Sequence, residues 1–342
     1  MLEEAALTVK DIGEKGLLAR LQQFCPPGVV GDDAAVMAIS AGYSLVVTTD
    51  MLVDQVHFSD RTTSAEDAGW RAAAANLSDL AAMGATPLGI TVALGLPRDT
   101  RVSWVEQLYQ GISECLQKYD TAIVGGDVCS SPVTTISITA FGEVHPQRTI
   151  RRSVAQVGNA IVVTGVHGAA RAGLELLLHP ELSSNLTDDA QQKLIRAHQR
   201  PQARLDVLPT LWTTIIQSHI ETPSKIQVAG MDSSDGLADA VVQLCQMSNV
   251  GAKIERDRIP IADDLDGWAS QSALDWALYG GEDFELVLCL PPAIAQQLVH
   301  NLGAQAAIIG EITAQPVVYL VDSTGKNPDE VLNLHRGFQH FS

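Results

Sequence analysis

Five short segments of this chain end an apolar or glycine-rich run on aspartate: GDDAA at 31–35, TTD at 48–50, NLSD at 76–79, GGD at 125–127 and DSSDG at 232–236. Aspartate is common in turns, and any one of these segments alone reads as an ordinary turn. Five of them together constrain the fold much more. Loops that follow strands carry chemistry on a rigid scaffold. Carboxylates collected on such loops repel one another unless a cation lies between them. All-oxygen ligands of this kind suit a hard ion such as Mg²⁺. Several Mg²⁺ ions in one protein point to phosphate, most often to ATP.

The charge balance agrees with that inference. The chain has 342 residues, 40 of them acidic and 22 basic, for a net charge of −18. Nucleic-acid and anionic-membrane surfaces need basic patches, so both are excluded as partners. An acidic protein that binds a polyanion needs cations to mediate. Hydrophobic residues make up 46% and charged residues 18%, as in a well-packed globular protein. The length exceeds one ordinary core and predicts two domains of about 150 residues. Cys25, Cys115, Cys129, Cys245 and Cys289 are odd in number and form no CxxC pair, so neither a disulfide framework nor a zinc site is indicated. Reduced thiols, no apolar h-region in MLEEAALTVK and no run of about 18 apolar residues predict a cytoplasmic protein.

Along the chain, periodicity predicts a short amphipathic helix over 11–24, a strand over 44–49 and a long helix over 64–84. Ser64 can cap that helix, Glu66 and Asp67 suit its first turn and Gly84 its end. Its many alanines allow another element to approach closely. Asn76 and Asp79, three apart, share a face. A strand over 88–94, a helix over 101–118 and a strand over 121–127 follow. TTISITAFGEV at 134–144 alternates as a strand with one covered face does. The polar, turn-rich HPQRTIRRS starts a junction at 145–159, and a fresh strand begins at NAIVVTG. Helices are predicted near 168–178, 188–198 and 236–248, and strands at 252–256, 284–290, 306–312 and 316–321. Without a strict βαβ rhythm, the fold class is α/β built as α+β layers rather than a doubly wound sheet.

No GxxxxGKS/T loop, GxGxxG turn, HExxH, GxSxG or HRD element is present, so an ATP site must rely on metals more than on a glycine-rich cradle. Ser234 and Asp235 stand at the start of an apolar helix, where backbone N–H groups favour an anion; an ordinary Ser/Asp cap reads the same way. Gly125 and Gly126 let backbone come close to a ligand or make a plain turn. Glu282 and Asp283 in GGEDFEL could receive a cationic group or sit in a solvated turn. His57 follows a strand-like stretch. Arg148, Arg151 and Arg152 form the one basic cluster, suited to phosphate oxygens or to a solvated surface.

Taken in order, GDDAA, TTDMLVDQVHF, NLSDLAAMGATP, VGGDV, RRS, MDSSDGL and LYGGEDFEL resemble thiamine-monophosphate kinase over about residues 11–341. That family belongs to the larger group of aminoimidazole ribonucleotide synthetase, selenophosphate synthetase and a hydrogenase-maturation protein. The resemblance implies ATP-dependent phosphorylation of thiamine monophosphate to thiamine diphosphate by direct in-line transfer. It also implies several Mg²⁺ ions, a K⁺ requirement and a homodimer formed through N-terminal domains. Residues 1–148 would form the metal- and ATP-binding, dimerising domain, and 149–342 an α/β domain that completes the ATP and substrate sites. By motif, Asp32, Thr48, Thr49, Asp50, Asp79, Asp127, Asp232 and Asp235 are implied as metal ligands. Gly126, Asp127, Arg152 and Ser234 are implied as ATP contacts, and His57, Glu282 and Phe338 as substrate contacts. The chain departs from the family's RSGA in having Val154 where glycine is frequent.

Both reactants are anions, and metal ions would screen their repulsion. A phosphate nucleophile with a second pKa of about 6 is largely deprotonated at neutral pH, so no general base is required and no catalytic side chain is expected. Two other readings stay open at this point. One is a sister synthetase making an aminoimidazole or selenophosphate product, although Cys25 in FCPPG lacks the pattern of a reactive cysteine with a nearby lysine. The other is a non-catalytic nucleotide- or thiamine-binding sensor, which would not need so many mutually repelling carboxylates.

Overall fold

The computed structural model describes residues 6–30, 33–218, 226–265, 268–269, 272–334 and 336–337. The chain divides into two compact units, Met1–Leu80 with Ala85–Val144, and Ala81–Gly84 with His145–Ser342.

The first unit contains α1 (Val9–Leu21), β1 (Ser44–Val53), most of α2 (Ala65–Ala82), β2 (Thr86–Leu96), α3 (Val102–Lys118), β3 (Ile123–Ser130) and β4 (Thr135–Val144). The strands form one sheet in the order β1-β4-β2-β3, with β2 and β3 parallel and the other pairs antiparallel. The alternation seen in the sequence of β4 is real: Ile136, Ile138 and Ala140 are buried while Ser137, Thr139 and Phe141 between them are partly exposed. A period of two places these sets on opposite faces. Ser64 caps α2 by accepting from the Asp67 N–H at 3.1 Å, and Gly84 takes a positive φ of 74° just beyond its end. The close approach expected on α2 occurs at glycine. A Cβ on Gly69 would collide with the carbonyl oxygen of Leu108, and one on Gly111 with that of Glu66, so α2 and α3 meet backbone to backbone. The helix expected over 11–24 is α1, broken at Gly13, where φ is 64°.

The second unit is built on a seven-stranded mixed sheet in the order β11-β10-β7-β9-β5-β8-β6. Its strands are β5 (Ala160–Val163), β6 (Ala229–Asp232), β7 (Gly251–Glu255), β8 (Leu286–Leu290), β9 (Ala307–Thr313), β10 (Val318–Val321) and β11 (Glu330–Val331). Helices α4 (Ala169–Leu178), α5 (Asp188–Gln199), α6 (Val207–Gln217), α7 (Leu237–Ser248), α8 (Ala273–Tyr279) and α9 (Pro292–Leu302) complete it. Both faces of the sheet are covered. Ile161 and Val163 join Val241 and Leu244 of α7 in one apolar cluster, while Val162 joins Leu211 of α6 and Leu298 of α9 in another. Strands buried on both sides read as continuous apolar runs, as IVV does here. A third cluster packs α4 on α5 through Leu176 and Leu194. α6, α8, α9 and β6 were not anticipated from sequence. Among the described residues no helix is long and apolar enough to cross a membrane.

The α2–α3 crossing gives a stability test. Gly111→Ala should lower the free energy of unfolding by about 1–3 kcal/mol, because the two backbones must separate to admit a methyl group. Gly125→Ala, whose Cβ meets only the Thr91 methyl at 3.4 Å, should stay within about 0.5 kcal/mol of the parent. Equal denaturant midpoints for parent and Gly111→Ala would contradict this packing.

Candidate functional site

β1 and α2 bring four polar residues together. Val46, Thr48, Asp50 and Leu52 occupy the better-buried face of β1. Thr48 Oγ1 donates to Asp79 Oδ2, and the Asp50 N–H donates to Asn76 Oδ1 at 3.2 Å. Asn76 is fully buried, and its Nδ2 donates to the Ala72 carbonyl at 3.0 Å. The shared face of Asn76 and Asp79 is thus turned toward β1. Thr49 points to the other side of the sheet, where its hydroxyl pairs with that of Thr139 at 2.7 Å.

The register separates Asp127 from this group. Met51, Ser137, Ala93 and Asp127 lie in one row across the sheet, and Asp50, Ile138, Val92 and Gly126 in the next. Asp127 therefore shares the open face with Met51, opposite the face of Asp50. Three strand spacings of about 4.8 Å also put it roughly 14 Å from β1. Among the described residues no three His, Cys, Asp or Glu side chains gather closely enough to hold a metal ion. Asp32 and Phe338 lie outside the described residues.

Gly126 has a structural reason to be glycine, since a Cβ there would strike the Val92 carbonyl oxygen. Both Gly126 and Asp127 border a cavity of about 260 Å³ that Leu18, Leu21, Val30 and Tyr109 wall on the apolar side. Asp33 lines it too. The motif reading singled out Asp32 and passed over Asp33, although both stand in GDDAA. His57 is partly buried and accepts the Val53 N–H through Nδ1 at 3.0 Å. That bond fixes the neutral tautomer with its proton on Nε2.

In the second unit, Asp232 closes β6 and is buried, while Asp235 is exposed. The neighbouring Ser233 Oγ is buried and has no hydrogen-bond partner among the described residues. Gly236, at φ 108°, is the cap of α7, and a Cβ on it would come within 2.6 Å of the Leu278 carbonyl. Ser234 therefore precedes a helix start, as expected, and its carbonyl accepts the Glu282 N–H at 2.7 Å. Arg152 is exposed and donates to Gln243 Oε1 at 2.6 Å. Val154 packs against the α7 core, which explains why a side chain is accommodated there. Arg148 lies over the Trp212 ring at 5.9 Å.

The GGEDFEL loop differs from a solvated turn. Gly281, Glu282 and Phe284 all have positive φ, at 69°, 61° and 53°. The Asp283 carboxylate accepts from the N–H groups of Gly168 and Ala170 at 2.7 and 3.0 Å, so it caps α4 and is not free to receive a ligand. Glu285 is largely buried against Arg204 and accepts from Thr164 Oγ1 at 2.5 Å. Removal from water pushes the Asp283 carboxyl up to about 7, against the two N–H bonds, with Glu285 and Glu282 adding to the rise. Burial raises Glu285 as well, opposed by Arg204.

Thr48, Asp50 and Asp79, three of the residues the motifs imply as metal ligands, stand together on β1 and α2 and offer only oxygen donors, as a hard divalent cation requires. The partnerless Ser233 hydroxyl in the DSSDG turn also leaves a buried polar atom for a ligand oxygen or ion to satisfy. The residues present fit Mg²⁺ and phosphate.

The family of AIR synthase related proteins matches this chain in both halves, the N-terminal domain at residues 31–144 and the C-terminal domain at 156–323. A thiamine-monophosphate kinase of Synechococcus elongatus is 51% identical over 335 residues, 98% of each chain. The thiamine-monophosphate kinase structure from Stenotrophomonas maltophilia K279a is 32% identical, with a TM-score of 0.73 over 89% of this chain and 94% of that one. The solved complex of AaThiL with AMPPCP and TMP is 30% identical, with a TM-score of 0.71 over 95% and 98%. These matches define the chain as an AIR synthase related protein. Within that class, the chain belongs to the thiamine-monophosphate kinase family.

Asp283 sets a pH dependence of stability. Its folded-state pKa, about 7, lies above that of an exposed carboxylate, so the folded state holds the proton more tightly than the unfolded chain. The stabilisation is complete below the ordinary carboxylate range and is lost as pH rises through about 7. Relative to Asp283→Asn, the parent's Tm should fall between about pH 4 and 7 and level off above that. Parallel Tm curves for the two proteins would show that Asp283 does not titrate in this window.

Proposed function

We propose that this protein transfers the γ-phosphoryl group of ATP directly to the phosphate of thiamine monophosphate, giving thiamine diphosphate. The contact between Thr48 and Asp79 carries this reading, since it joins two of the proposed ligands from separate elements. The near full-length match to thiamine-monophosphate kinases supports it. Asp32, Thr48, Thr49, Asp50, Asp79 and Asp127, with Asp232 and Asp235, would hold Mg²⁺, Thr49 by its backbone because its hydroxyl faces away. Bound there, Mg²⁺ neutralises phosphate charge as it spreads in the transition state. The side chains themselves move no proton, because the acceptor phosphate is largely deprotonated. His57, with its proton on Nε2, donates and does not act as a base in this scheme. The apolar wall of the cavity suits a nucleobase, and the acidic rim of Asp33 and Asp127 suits a metal-bound polyphosphate. Arg152 and Ser234 would contact ATP, and His57, Glu282 and Phe338 the thiamine end.

The active form in this reading is a homodimer. Leu45, Val47 and Met51 are 47%, 52% and 53% exposed on the open face of the four-stranded sheet. Asp127 shares that face, so a second chain seated on it would lie against Asp127. All five cysteines are unpaired, which supports a cytoplasmic setting.

Product analysis with ATP, thiamine monophosphate, Mg²⁺ and K⁺ should yield thiamine diphosphate and ADP, and none without Mg²⁺. Formation of another phosphorylated product, or none, would refute the assignment. Asp79→Asn should lower kcat by at least ~100-fold, a loss of roughly 3 kcal/mol of transition-state stabilisation. Near-parent turnover would remove Asp79 from the mechanism. Met51→Glu should shift sedimentation from dimer to monomer, and an unchanged dimer would exclude this sheet face as the interface.

A further inference from the structure

We infer that His198 is the positioning residue for Glu282, aiming its carboxylate at a cationic substrate group. The inference rests on the reading of Glu282 as a thiamine contact and adds a residue that no motif marked. His198 is the penultimate residue of α5 and is buried. Its Nδ1 lies 3.4 Å from Glu282 Oε2, and the Glu282 side chain is partly exposed. An imidazole in the protein interior thus meets a carboxylate that reaches the surface.

The surroundings make this contact a directed one. Glu282 sits at φ 61° between two other left-handed residues, a backbone that persists only where its surroundings over-determine it. Its N–H is tied to the Ser234 carbonyl at 2.7 Å. The next residue, Asp283, is tied to the first N–H groups of α4. α4 and α5 touch so closely that a Cβ on Gly173 would collide with the Leu194 carbonyl. The helix that carries His198 and the helix start that holds Asp283 are therefore one rigid piece. That piece fixes the backbone of the loop through Asp283 and the direction of the Glu282 side chain through His198.

A glutamate without such support loses rotamer freedom when it captures a cation, and pre-positioning removes that loss. The gain is the same for bound substrate and transition state, so it appears in KM and not in kcat. His198→Leu keeps the buried volume and removes both nitrogens. It should raise the KM for thiamine monophosphate about 3- to 10-fold and leave kcat and the KM for ATP within about twofold. His198→Asn, which restores a donor near the Nδ1 position, should recover most of the loss. In a Glu282→Gln background, His198→Leu should add nothing, as expected for residues acting through one contact.

An unchanged KM in His198→Leu, or effects of His198→Leu and Glu282→Gln that multiply, would overturn the inference. If Glu282→Gln alone still raises the KM in that case, the reading of Glu282 stands. If Glu282→Gln leaves the KM for thiamine monophosphate unaltered, that reading fails and the inference with it. Should His198→Leu not fold, His198→Asn and His198→Gln decide the matter. Asn presents its amide at the Nδ1 position and Gln at the Nε2 position, so the KM should be near the parent's for Asn and raised for Gln. Equal values for the two would overturn the positioning role.

Discussion

The hydroxyl of Thr48 donating to Asp79 ties β1 to α2, and the polar end of the first unit depends on it. A carboxylate on the inner face of a sheet is tolerated only when a donor meets it. Thr48 is that donor, and the pairing fixes how α2 is turned about its own axis. With Asp79 facing β1, Asn76 one turn earlier faces it too and accepts the Asp50 N–H. The buried Asn76 then closes the group by donating to its own helix. The contacts described in this group come from a hydroxyl, a side-chain amide and a backbone N–H, which place the oxygens on β1 and α2.

The second unit treats its acids differently. Asp283 is met by the start of α4, Glu285 by Arg204 and Thr164, and Glu282 by His198. Four consecutive residues of GGEDFEL thus contain a helix cap, a buried ion pair and one partly exposed carboxylate. The capping role answers why the loop is strained. Three left-handed residues turn the chain so that alternate acids face inward and Glu282 faces out. Gly281 and Gly236 permit the neighbouring loop to interlock, since a Cβ on Gly281 would come within 2.7 Å of the Ser234 carbonyl.

Much of the fold was legible because burial writes a period into the chain. β4 alternates and is covered on one face, and α3 and α7 repeat every three to four residues. α9 was hidden by the Pro291-Pro292 pair, which reads as a breaker but supplies the first turn of a helix. α6 and α8 are short and rich in β-branched or aromatic residues, and β6 has only four residues, AGMD, flanked by loop-forming ones. The motifs implied a set of site residues but not the faces on which those residues stand. Whether Thr49 joins Thr48 depends on strand alternation, and here it does not. The face of Asp127 depends on a register shift in the β2–β3 pairing, between Ile90 and Thr91, that no local pattern announces.

His198 illustrates the same limit from the other side. In sequence it is one histidine near the end of a polar helix, 84 residues before its partner and outside every motif. What gives it meaning is the α4–α5 contact at Gly173, which sets the end of α5 beside the loop that α4 already anchors. Composition cannot carry such information, because it arises from two close packings that act together. A carboxylate in a motif can be recognised by its neighbours in the chain. The residue that aims it is found only after the fold has put distant backbones in contact, and that is where the specificity of a charged site is decided.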